Sequence, residues 1–274
     1  MKKVVILGCG PAGLMAAAAV EDAGYEPVIA SKKRKSEMYG AQYLHQPIPG
    51  HSPETAFDVT YTLNGTFDDY RRKVYGPDLR IPVSPEDLQE NHEGWDIRST
   101  YDSLWQRYAD SITHTPFESH AEVSAFLLRL AEEEAVAHFI STIPAPLLCS
   151  HPGHSFQAQK IWAVGDAPER GIFSPITSDL NTVTCSGLQD DSWYRKSNIQ
   201  GYNSVEWSAR RARPPLDGVT DVLKPLGTNC DCLPSVHRLG RYGMWSKGVL
   251  SHEAYYATIA GLEGSREEVR ATEG

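Results

Sequence analysis

The sequence has no long hydrophobic run, few cysteines and no excess of positive charge. No apolar stretch in its 274 residues approaches the roughly 20 residues of a transmembrane helix, so we expect no membrane span. Five cysteines, an odd number at scattered positions, argue against a disulfide framework and favour a reducing cytoplasm. A net charge of −9 disfavours non-specific nucleic-acid binding by the whole surface.

Several catalytic signatures are also missing. The chain has no G-x-S-x-G nucleophile elbow, which argues against Ser-His-Asp hydrolysis. It has no GK[ST] phosphate loop and no internal repeat. A glycine motif begins shortly after Met1, so we expect no signal peptide before it and a cytoplasmic location.

What the chain does have is a β-α-β signature at its start. An apolar strand over residues 2–7 enters a glycine loop at 8–13, a helix follows over 14–23, and a second strand covers 28–30. In dinucleotide folds the first glycine allows the turn, the second lets the backbone approach a pyrophosphate, and the third lets the helix contact the strand. The helix N-terminus adds free N–H groups. We therefore predict a nucleotide site at Gly8, Gly10, Pro11, Ala12 and Gly13.

Later segments are predicted to contribute further strands and helices to the same sheet. Ser119 and Glu122 form a capping box for a helix, followed by a buried strand over 135–143. A strand is predicted over 236–239, then a helix from Ser246 to Ala260 that Gly261 ends, with a frayed charged tail. A further short helix is predicted over 100–112.

These stretches predict an α/β fold in which a Rossmann-like domain is interrupted by a strand- and loop-rich substrate domain. The discontinuous nucleotide-binding domain is predicted over 1–45, 115–150 and 233–274. The inserted substrate domain is predicted over 46–114 and 151–232.

Three motifs carry a resemblance to a known group. The GCGPAG loop, the segment Ile140–Pro144 and the segment Gly240–Gly243 before a last helix occur in the same order in one flavoprotein group. The chain resembles FAD-dependent amine oxidases and UDP-galactopyranose mutases, which share a glutathione-reductase-type FAD domain. The resemblance covers about half of the chain, which looks shorter than typical members, and it implies FAD as the cofactor.

One position departs from the family pattern. Where the family has an acidic residue for the ribose hydroxyls at the end of the second strand, this chain has Ser31, followed by Lys32 and three more basic residues. A serine lacks the two-oxygen, charged grip of a carboxylate. The lysines could instead meet a 2′-phosphate, so NADP stays open as a less favoured alternative to FAD.

The resemblance also implies residues around the flavin. Gly40, Ala41, Gln42 and Tyr43 would follow the flavin ring, with His45 as a candidate acid or base. Near the C-terminus, Gly240, Arg241 and Trp245 would reach the pyrophosphate or ribityl chain. The strand that ends at Gly165 and Asp166 is an alternative for the ribityl contact.

An aromatic segment with two opposite charges is the predicted substrate site. Tyr194 and Tyr202 are the candidate substrate-binding residues, and Arg195 and Glu206 join His45 as candidate catalytic residues. An arginine could bind a substrate carboxylate or phosphate in a bidentate manner.

The expected function is therefore an FAD-dependent oxidoreductase that oxidises a C–N bond of an amine or amino-acid-like small molecule. One alternative is a mutase-like, non-oxidative flavoenzyme on a nucleotide sugar, with Arg195 and Arg241 on a diphosphate. Another is a non-catalytic nucleotide-binding protein. Small FAD proteins of this kind also occur among phage-encoded enzymes, which implies a DNA-linked modified base as a narrower possibility. Basic runs at 32–35, 71–73 and 210–213 favour that substrate, while the net charge of −9 argues against it.

Metal-binding residue types occur in two clusters. Cys149, His151 and His154 form one, and Cys230, Asp231 and Cys232 form the other. A zinc site would require the two clusters to converge. Because the sequence does not show that they meet, it assigns no metal and leaves the oligomeric state open.

Overall fold

The fold is described from a computed structural model of the chain. It describes residues 1–32, 34–35, 38–39, 42–77, 88, 91–132, 135–165 and 179–273, with side chains up to Gly264. None of the helices in these ranges is long and apolar enough to cross a membrane. In chain order the helices and strands are β1 (Lys3–Leu7), α1 (Pro11–Asp22), β2 (Glu26–Ser31), β3 (Phe57–Asn64), α2 (Phe67–Tyr75), β4 (Asn91–Gly94), α3 (Ile97–Tyr108), β5 (Ile112–His114), α4 (His120–Ala131), β6 (Val136–Ser141), β7 (Phe156–Gly165), β8 (Thr182–Ser186), β9 (Arg195–Ile199), β10 (Tyr202–Ser208), β11 (Thr220–Thr228), β12 (Val236–Arg238), α5 (Gly240–Met244) and α6 (Glu253–Glu273).

The first sheet is the parallel sheet that the sequence predicts around its β-α-β unit. Its strands lie in the order β12-β6-β1-β2-β5, and its four strand pairs are parallel. Helix α1 is apolar on all sides and buried from Gly13 to Val20, because it packs against the sheet and against α3 and α6. The predicted α/β class is confirmed, and the strands of this sheet come from residues 3–31, 112–141 and 236–238.

Ser119 caps the helix as predicted, whereas the Glu122 carboxylate accepts from the backbone N–H of Glu118 at 2.7 Å instead of that of Ser119. The Ser119 side chain accepts a hydrogen bond from the Glu122 backbone N–H at 3.3 Å, and α4 begins at the next residue. Strand β6 then follows within the predicted range and pairs with β1. This unit therefore returns to the first sheet as expected.

The C-terminal helix differs from its prediction. The segment after β12 forms the short helix α5, which ends at Trp245 with a left-handed backbone, and a separate helix begins only at Glu253. Gly261 does not end that helix, which continues to Glu273. A glycine costs a helix only about 1 kcal/mol, and a Cβ at Gly261 would lie 3.4 Å from His237, so the close packing compensates.

The helix predicted over 100–112 starts earlier and ends earlier. Its N-cap is Asp96, whose carboxylate accepts from the Arg98 N–H at 2.8 Å and the Ser99 N–H at 3.2 Å. The helix ends at Tyr108, and the chain then enters β5, which pairs with β2. Residues 97–114 thus lie on the first sheet, although the sequence groups them with the substrate domain.

The second sheet has seven strands in the order β11-β7-β10-β9-β8-β3-β4. Five of its pairs are antiparallel, and β3 with β8 is parallel. Helix α2 contributes Tyr70, Val74 and Tyr75 to the core of this sheet. The chain crosses between the two sheets after β2, after β4, after β6 and after β11, so four connections join the two sheets.

Candidate functional site

Two of the three glycines in the loop pack closely against other atoms of the protein, whereas the third faces open space. A Cβ at Gly8 would lie 2.6 Å from the Thr142 hydroxyl oxygen, and one at Gly13 would lie 2.0 Å from the Gly8 carbonyl oxygen. At Gly10, by contrast, no atom of the described residues lies within 4 Å of a Cβ. Gly10 is also the N-cap of α1. The second glycine of the motif therefore presents its backbone and the helix N-terminus to open space.

Ser31 serves the loop itself. Its side chain is buried at the end of β2, and its hydroxyl accepts a hydrogen bond from the Cys9 backbone N–H at 3.1 Å. The Tyr101 hydroxyl donates to the Cys9 carbonyl at 2.8 Å. Ser31, at the position where the resemblance implies an acidic residue, thus binds the backbone of the glycine loop. The sequence alone did not indicate this contact.

Two of the three basic residues after β2 that the structure describes form ion pairs with carboxylates. Lys32 forms an exposed ion pair with Glu118 at 3.0 Å, and Arg34 pairs with Asp102. These pairings reduce the positive charge available to a 2′-phosphate, which weakens the NADP alternative. Lys33 lies outside the described residues.

Helix α5 lies directly against the glycine loop. A Cβ at Gly240 would lie 2.7 Å from Ala12 Cβ, and one at Gly243 would lie 2.5 Å from the Ser141 carbonyl oxygen. Trp245 closes the helix, and its indole N–H donates to the Gln157 carbonyl at 2.9 Å. The segment that starts at Gly240 therefore adjoins the loop at the place where the resemblance puts the ribityl contact.

The alternative ribityl element lies elsewhere. Gly165 ends β7 in the second sheet, where a Cβ would lie 2.8 Å from the Met38 carbonyl oxygen and 3.0 Å from the Tyr39 ring. Its small size thus lets the segment after β2 cross over it. Asp166 falls outside the described residues, as do Gly40 and Ala41.

The described part of the predicted flavin-contacting segment faces the second sheet. Gln42 donates from its side-chain amide to the Tyr39 carbonyl at 2.5 Å. Tyr43 is buried, and its hydroxyl donates to the Tyr61 hydroxyl at 3.3 Å. Burial raises the pKa of both phenols, so they stay protonated and act as neutral hydrogen-bonding groups.

His45 belongs to a histidine cluster. Its ring stacks on Tyr43 at 4.6 Å, and the rings of His92 and His252 both lie 5.9 Å away. Burial, assisted by repulsion from His252 and His92, lowers the pKa of His45 to about 4. At neutral pH His45 is therefore a neutral imidazole.

Arg195 and Glu206, both predicted, form a buried ion pair on the second sheet. Their side chains meet at 2.8 Å across β9 and β10, and Glu206 is only 1% exposed. Lys224 from β11 joins them, with its ammonium 2.7 and 2.8 Å from the two carboxylate oxygens. Burial alone would raise the pKa of Glu206, but Arg195 and Lys224 outweigh it and lower that pKa to about 2.

The cluster carries more positive than negative charge. Burial and the neighbouring Arg195 lower the pKa of Lys224 to about 7. Arg241 of α5 lies close enough that burial and repulsion from Arg195 lower its pKa as well. Arg195 and Lys224 contact the Glu206 carboxylate, and Arg241 adds a third basic side chain that interacts electrostatically with Arg195. The Arg195 Nε–H has no hydrogen-bond partner among the described residues. We call Arg195, Glu206, Lys224 and Arg241 the charged cluster.

The two predicted substrate tyrosines separate in space. Tyr194 is buried beside the charged cluster and accepts a hydrogen bond from the Lys224 ammonium at 3.5 Å. Tyr202 lies at the β9–β10 turn, four residues from Glu206 along the strand, where the Arg98 guanidinium lies 4.0 Å over its ring. The sequence analysis did not predict Lys224 as a site residue. Its apolar neighbours Val222 and Leu223 indicate a strand, and a charged lysine within such a strand could have pointed to this site.

Most of the basic side chains around residues 73 and 210–213 donate hydrogen bonds to backbone carbonyls. Lys73 donates to the Leu188 carbonyl at 2.7 Å, and Arg210 donates to the Tyr75 carbonyl at 3.0 Å. Arg211 and Arg213 donate to the carbonyls of Asp191 and Val219. These side chains stabilise loops of this chain, which weakens the argument for a DNA-linked substrate.

The two clusters of metal-binding residue types do meet. Ligand atoms of Cys149, His154, Cys230 and Cys232 all lie within 4.8 Å of one another. The sequence assigned no metal because convergence could not be read from it; the fold supplies that convergence. His151 stacks on His154 at 4.4 Å and is not one of the four.

Many solved structures are similar to this one, and two of them illustrate the shared fold. Reduced UDP-galactopyranose mutase is 11% identical with a TM-score of 0.52, over 97% of this chain and 94% of its own. A protein assigned as an FAD-containing monooxygenase from Photorhabdus luminescens subsp. laumondii TTO1 is 9% identical with a TM-score of 0.51, over 96% and 88%. The chain thus has the Rossmann-type fold of FAD-binding flavoproteins. No protein-family model and no curated protein matches the sequence.

Proposed function

We propose that this chain is an FAD-dependent oxidoreductase that oxidises a C–N bond of an amino-acid-like substrate held by its anionic group. The single observation that carries the proposal is the buried charged cluster, with its excess of positive charge, near the open glycine loop. FAD, when bound, supplies the two-electron acceptor for such an oxidation.

The residues of the loop fit FAD. The open space at Gly10 and the free N–H groups at the start of α1 suit a pyrophosphate. Gly240 adjoins the loop through its contact with Ala12, and we expect the next residue, Arg241, to add positive charge there. Ser31 leaves no acid for the ribose, so we expect weaker adenosine binding than in relatives with a carboxylate there.

The charged cluster fits an anionic substrate. Arg195 has one unpartnered buried N–H, and leaving such a donor unsatisfied costs roughly 1–3 kcal/mol. A substrate carboxylate between Arg195 and Arg241 would satisfy it and offset the repulsion between the two guanidinium groups. Arginine is suited to this because its fork matches carboxylate geometry.

Lys224 is the candidate proton acceptor. An amine must be neutral before its C–N bond is oxidised, so a base has to take the proton of a substrate ammonium. With a pKa of about 7, Lys224 is partly neutral at physiological pH, and the proton it accepts is stabilised by Glu206 at 2.7 and 2.8 Å. His45, with a pKa of about 4, is a weaker base and is proposed to border the substrate as a neutral group.

The first experiment combines an absorbance spectrum with an anaerobic screen. The purified protein is expected to show flavin bands that denaturation releases, and these bands should bleach when amino acids are added without oxygen. Arg195→Met should raise the KM for the substrate by about 100-fold, as expected for loss of a buried charged contact. A colourless protein that binds adenine nucleotides weakly would instead indicate the non-catalytic alternative.

A mutase-like activity is the second candidate, because the excess of cations suits a diphosphate with its several negative charges. Arg195 and Arg241 would then bind the diphosphate of a nucleotide sugar. This reading predicts turnover only with reduced flavin and without net oxidation. Thermal stabilisation by uridine diphosphate but not by amino acids would favour it.

A DNA-linked substrate is the narrowest form of the proposal. It requires that the protein be retained on DNA in a salt-dependent way. Absence of retention at low salt would remove this form and leave the small-molecule form intact.

A further inference from the structure

Four metal-binding side chains converge where the chain crosses between its two sheets. Cys149 and His154 lie in the connection from β6 to β7, and Cys230 and Cys232 lie in the connection from β11 to β12. Their ligand atoms all lie within 4.8 Å of one another. The cluster lies outside the charged cluster and the glycine loop, so the proposed function makes no use of it.

The distances match tetrahedral zinc coordination. With Zn–S bonds of about 2.3 Å and Zn–N bonds of about 2.0 Å, tetrahedral angles place sulfur atoms about 3.8 Å apart and sulfur and nitrogen about 3.5 Å apart. Here the sulfurs of Cys149 and Cys232 are 3.7 Å apart. His154 Nδ1 lies 3.3 Å from Cys149 Sγ and 3.4 Å from Cys232 Sγ.

A disulfide does not account for this arrangement. A disulfide bond places its two sulfurs about 2.05 Å apart, whereas all five cysteines here are free thiols. Three sulfurs and one imidazole nitrogen within 4.8 Å of one another form the ligand set of a structural zinc site, in which every position is filled by protein.

Neighbouring groups orient these four ligands. The Asp231 carboxylate lies 3.6 Å from His154 Nε2, on the opposite side of the ring from the sulfurs, and so favours the tautomer that leaves Nδ1 free to bind a metal. Arg238 donates to the Cys230 carbonyl at 3.0 Å and to Cys230 Sγ at 3.5 Å, and also to the Cys232 carbonyl. The guanidinium therefore holds the Cys230–Cys232 turn and adds positive charge beside the sulfurs.

We propose that Cys149, His154, Cys230 and Cys232 bind one structural Zn²⁺. On binding, the three thiols release their protons to solvent and the imidazole coordinates as the neutral form. Three thiolates and a Zn²⁺ ion leave one net negative charge, which Arg238 partly balances. The metal joins the two connections and so fixes the position of the second sheet relative to the glycine loop.

The decisive measurement is the metal content of the full-length protein, expressed in zinc-supplemented medium and purified without chelator. We expect about one zinc per chain, and Co²⁺ exchanged into the site should give the intense visible bands of a tetrahedral thiolate complex. Cys232→Ser should reduce the zinc content at least about tenfold. His151→Gln, a change of a non-coordinating neighbour in the same loop, should retain it.

Thermal unfolding supplies a second readout that does not depend on flavin or turnover. A strong chelator should lower the melting temperature of the wild-type protein and of His151→Gln, and should leave that of Cys232→Ser unchanged. Wild-type protein with reduced thiols and no bound zinc or Co²⁺ band would overturn the proposal. A mass two daltons below the reduced value, showing a disulfide within the cluster, would overturn it equally.

Discussion

The two sheets of this molecule bury side chains of different chemical character. The first sheet buries apolar strands and an alanine-rich helix, and the polar groups near its carboxyl edge are uncharged, such as the backbone N–H groups around Gly10 and the Ser31 hydroxyl. The second sheet buries a carboxylate, Glu206, with Arg195 and Lys224. Burying an ion pair gives little net stability and can be less stable than an apolar core. The difference suggests that the first sheet provides a general coenzyme platform and that the second provides the chemistry of recognition.

The two sheets also form their candidate sites in different ways. In the first sheet, glycines create the site by removing side chains, so Gly8 and Gly13 fit the protein and Gly10 leaves room. In the second sheet, charged side chains create the site; burial lowers the pKa of Lys224, and the two neighbouring cations lower the pKa of Glu206. Substitutions should therefore act sterically in one region and electrostatically in the other.

The largest expected effect comes from Gly13→Ala in the first region. The added Cβ would lie 2.0 Å from the Gly8 carbonyl oxygen, and neither backbone segment can move without breaking the contact of α1 with β1. We expect a loss of more than about 4 kcal/mol in unfolding free energy, or no folded protein, by urea denaturation. Gly264→Ala, at an open helical position, should cost nothing; an unchanged midpoint for Gly13→Ala would break the steric account.

The next largest effect is expected in the second region. Glu206→Gln keeps the shape but leaves Arg195 and Lys224 without their counter-charge, which should cost about 3 kcal/mol in unfolding free energy. An exposed carboxylate on the same sheet, Glu93, supplies the control, because Glu93→Gln should stay within about 0.5 kcal/mol. Equal effects for the two variants would show that the charged cluster contributes nothing particular to stability.

The pH dependence of stability tests Lys224. Between its folded pKa of about 7 and the ordinary lysine pKa of about 10.4, the unfolded chain binds a proton that the folded chain has lost. Unfolding free energy should therefore rise with pH across this window, by about 2 kcal/mol after allowance for coupling with Glu206. Lys224→Met should remove most of the rise in denaturation curves taken at several pH values, leaving the part due to Lys73, whose pKa is lowered to about 8. A wild-type curve that is flat over the window would contradict the lowered pKa.

A smaller effect is expected at Ser31, where the first region uses a side chain. Ser31→Ala leaves the buried Cys9 N–H without its acceptor, which should cost about 1–2 kcal/mol in unfolding free energy. Ser99→Ala, on the exposed start of α3, is the matched change and should be close to neutral. If Ser31→Ala were equally neutral in chemical denaturation, the hydroxyl would have no part in holding the loop.

The sequence predicted the first sheet better than the second for a physical reason. The glycine loop, the cap at Ser119 and the strand–helix order are local patterns, and each resides within about a dozen residues. The second sheet depends on distant pairing, such as the Thr62–Thr184 contact across 122 positions. Neither β3 nor β8 reveals its partner in its own composition, so their register could not be predicted.

In the candidate site, too, local contacts could be predicted from the sequence and distant ones could not. Arg195 and Glu206 are 11 positions apart in one hairpin, and the sequence pointed to both. Lys224 meets Glu206 from another strand, and Cys149 meets Cys232 across 83 positions, so both contacts emerged only from the fold. Ser31 was interpreted as a ribose contact because its bond to Cys9 depends on the loop geometry and not on composition.

Flavin content of the Gly10→Val variant tests the central claim most directly. Gly10 has an ordinary extended backbone, with φ of −70°, and open space around its Cβ, so valine should leave the unfolding midpoint of the flavin-stripped protein unchanged. The account predicts that the purified wild-type protein carries FAD and that Gly10→Val carries at least about tenfold less, because the side chain fills the approach of the pyrophosphate. Gly264→Val should carry the wild-type amount. Full FAD occupancy in folded Gly10→Val would contradict the placement of the coenzyme on this loop.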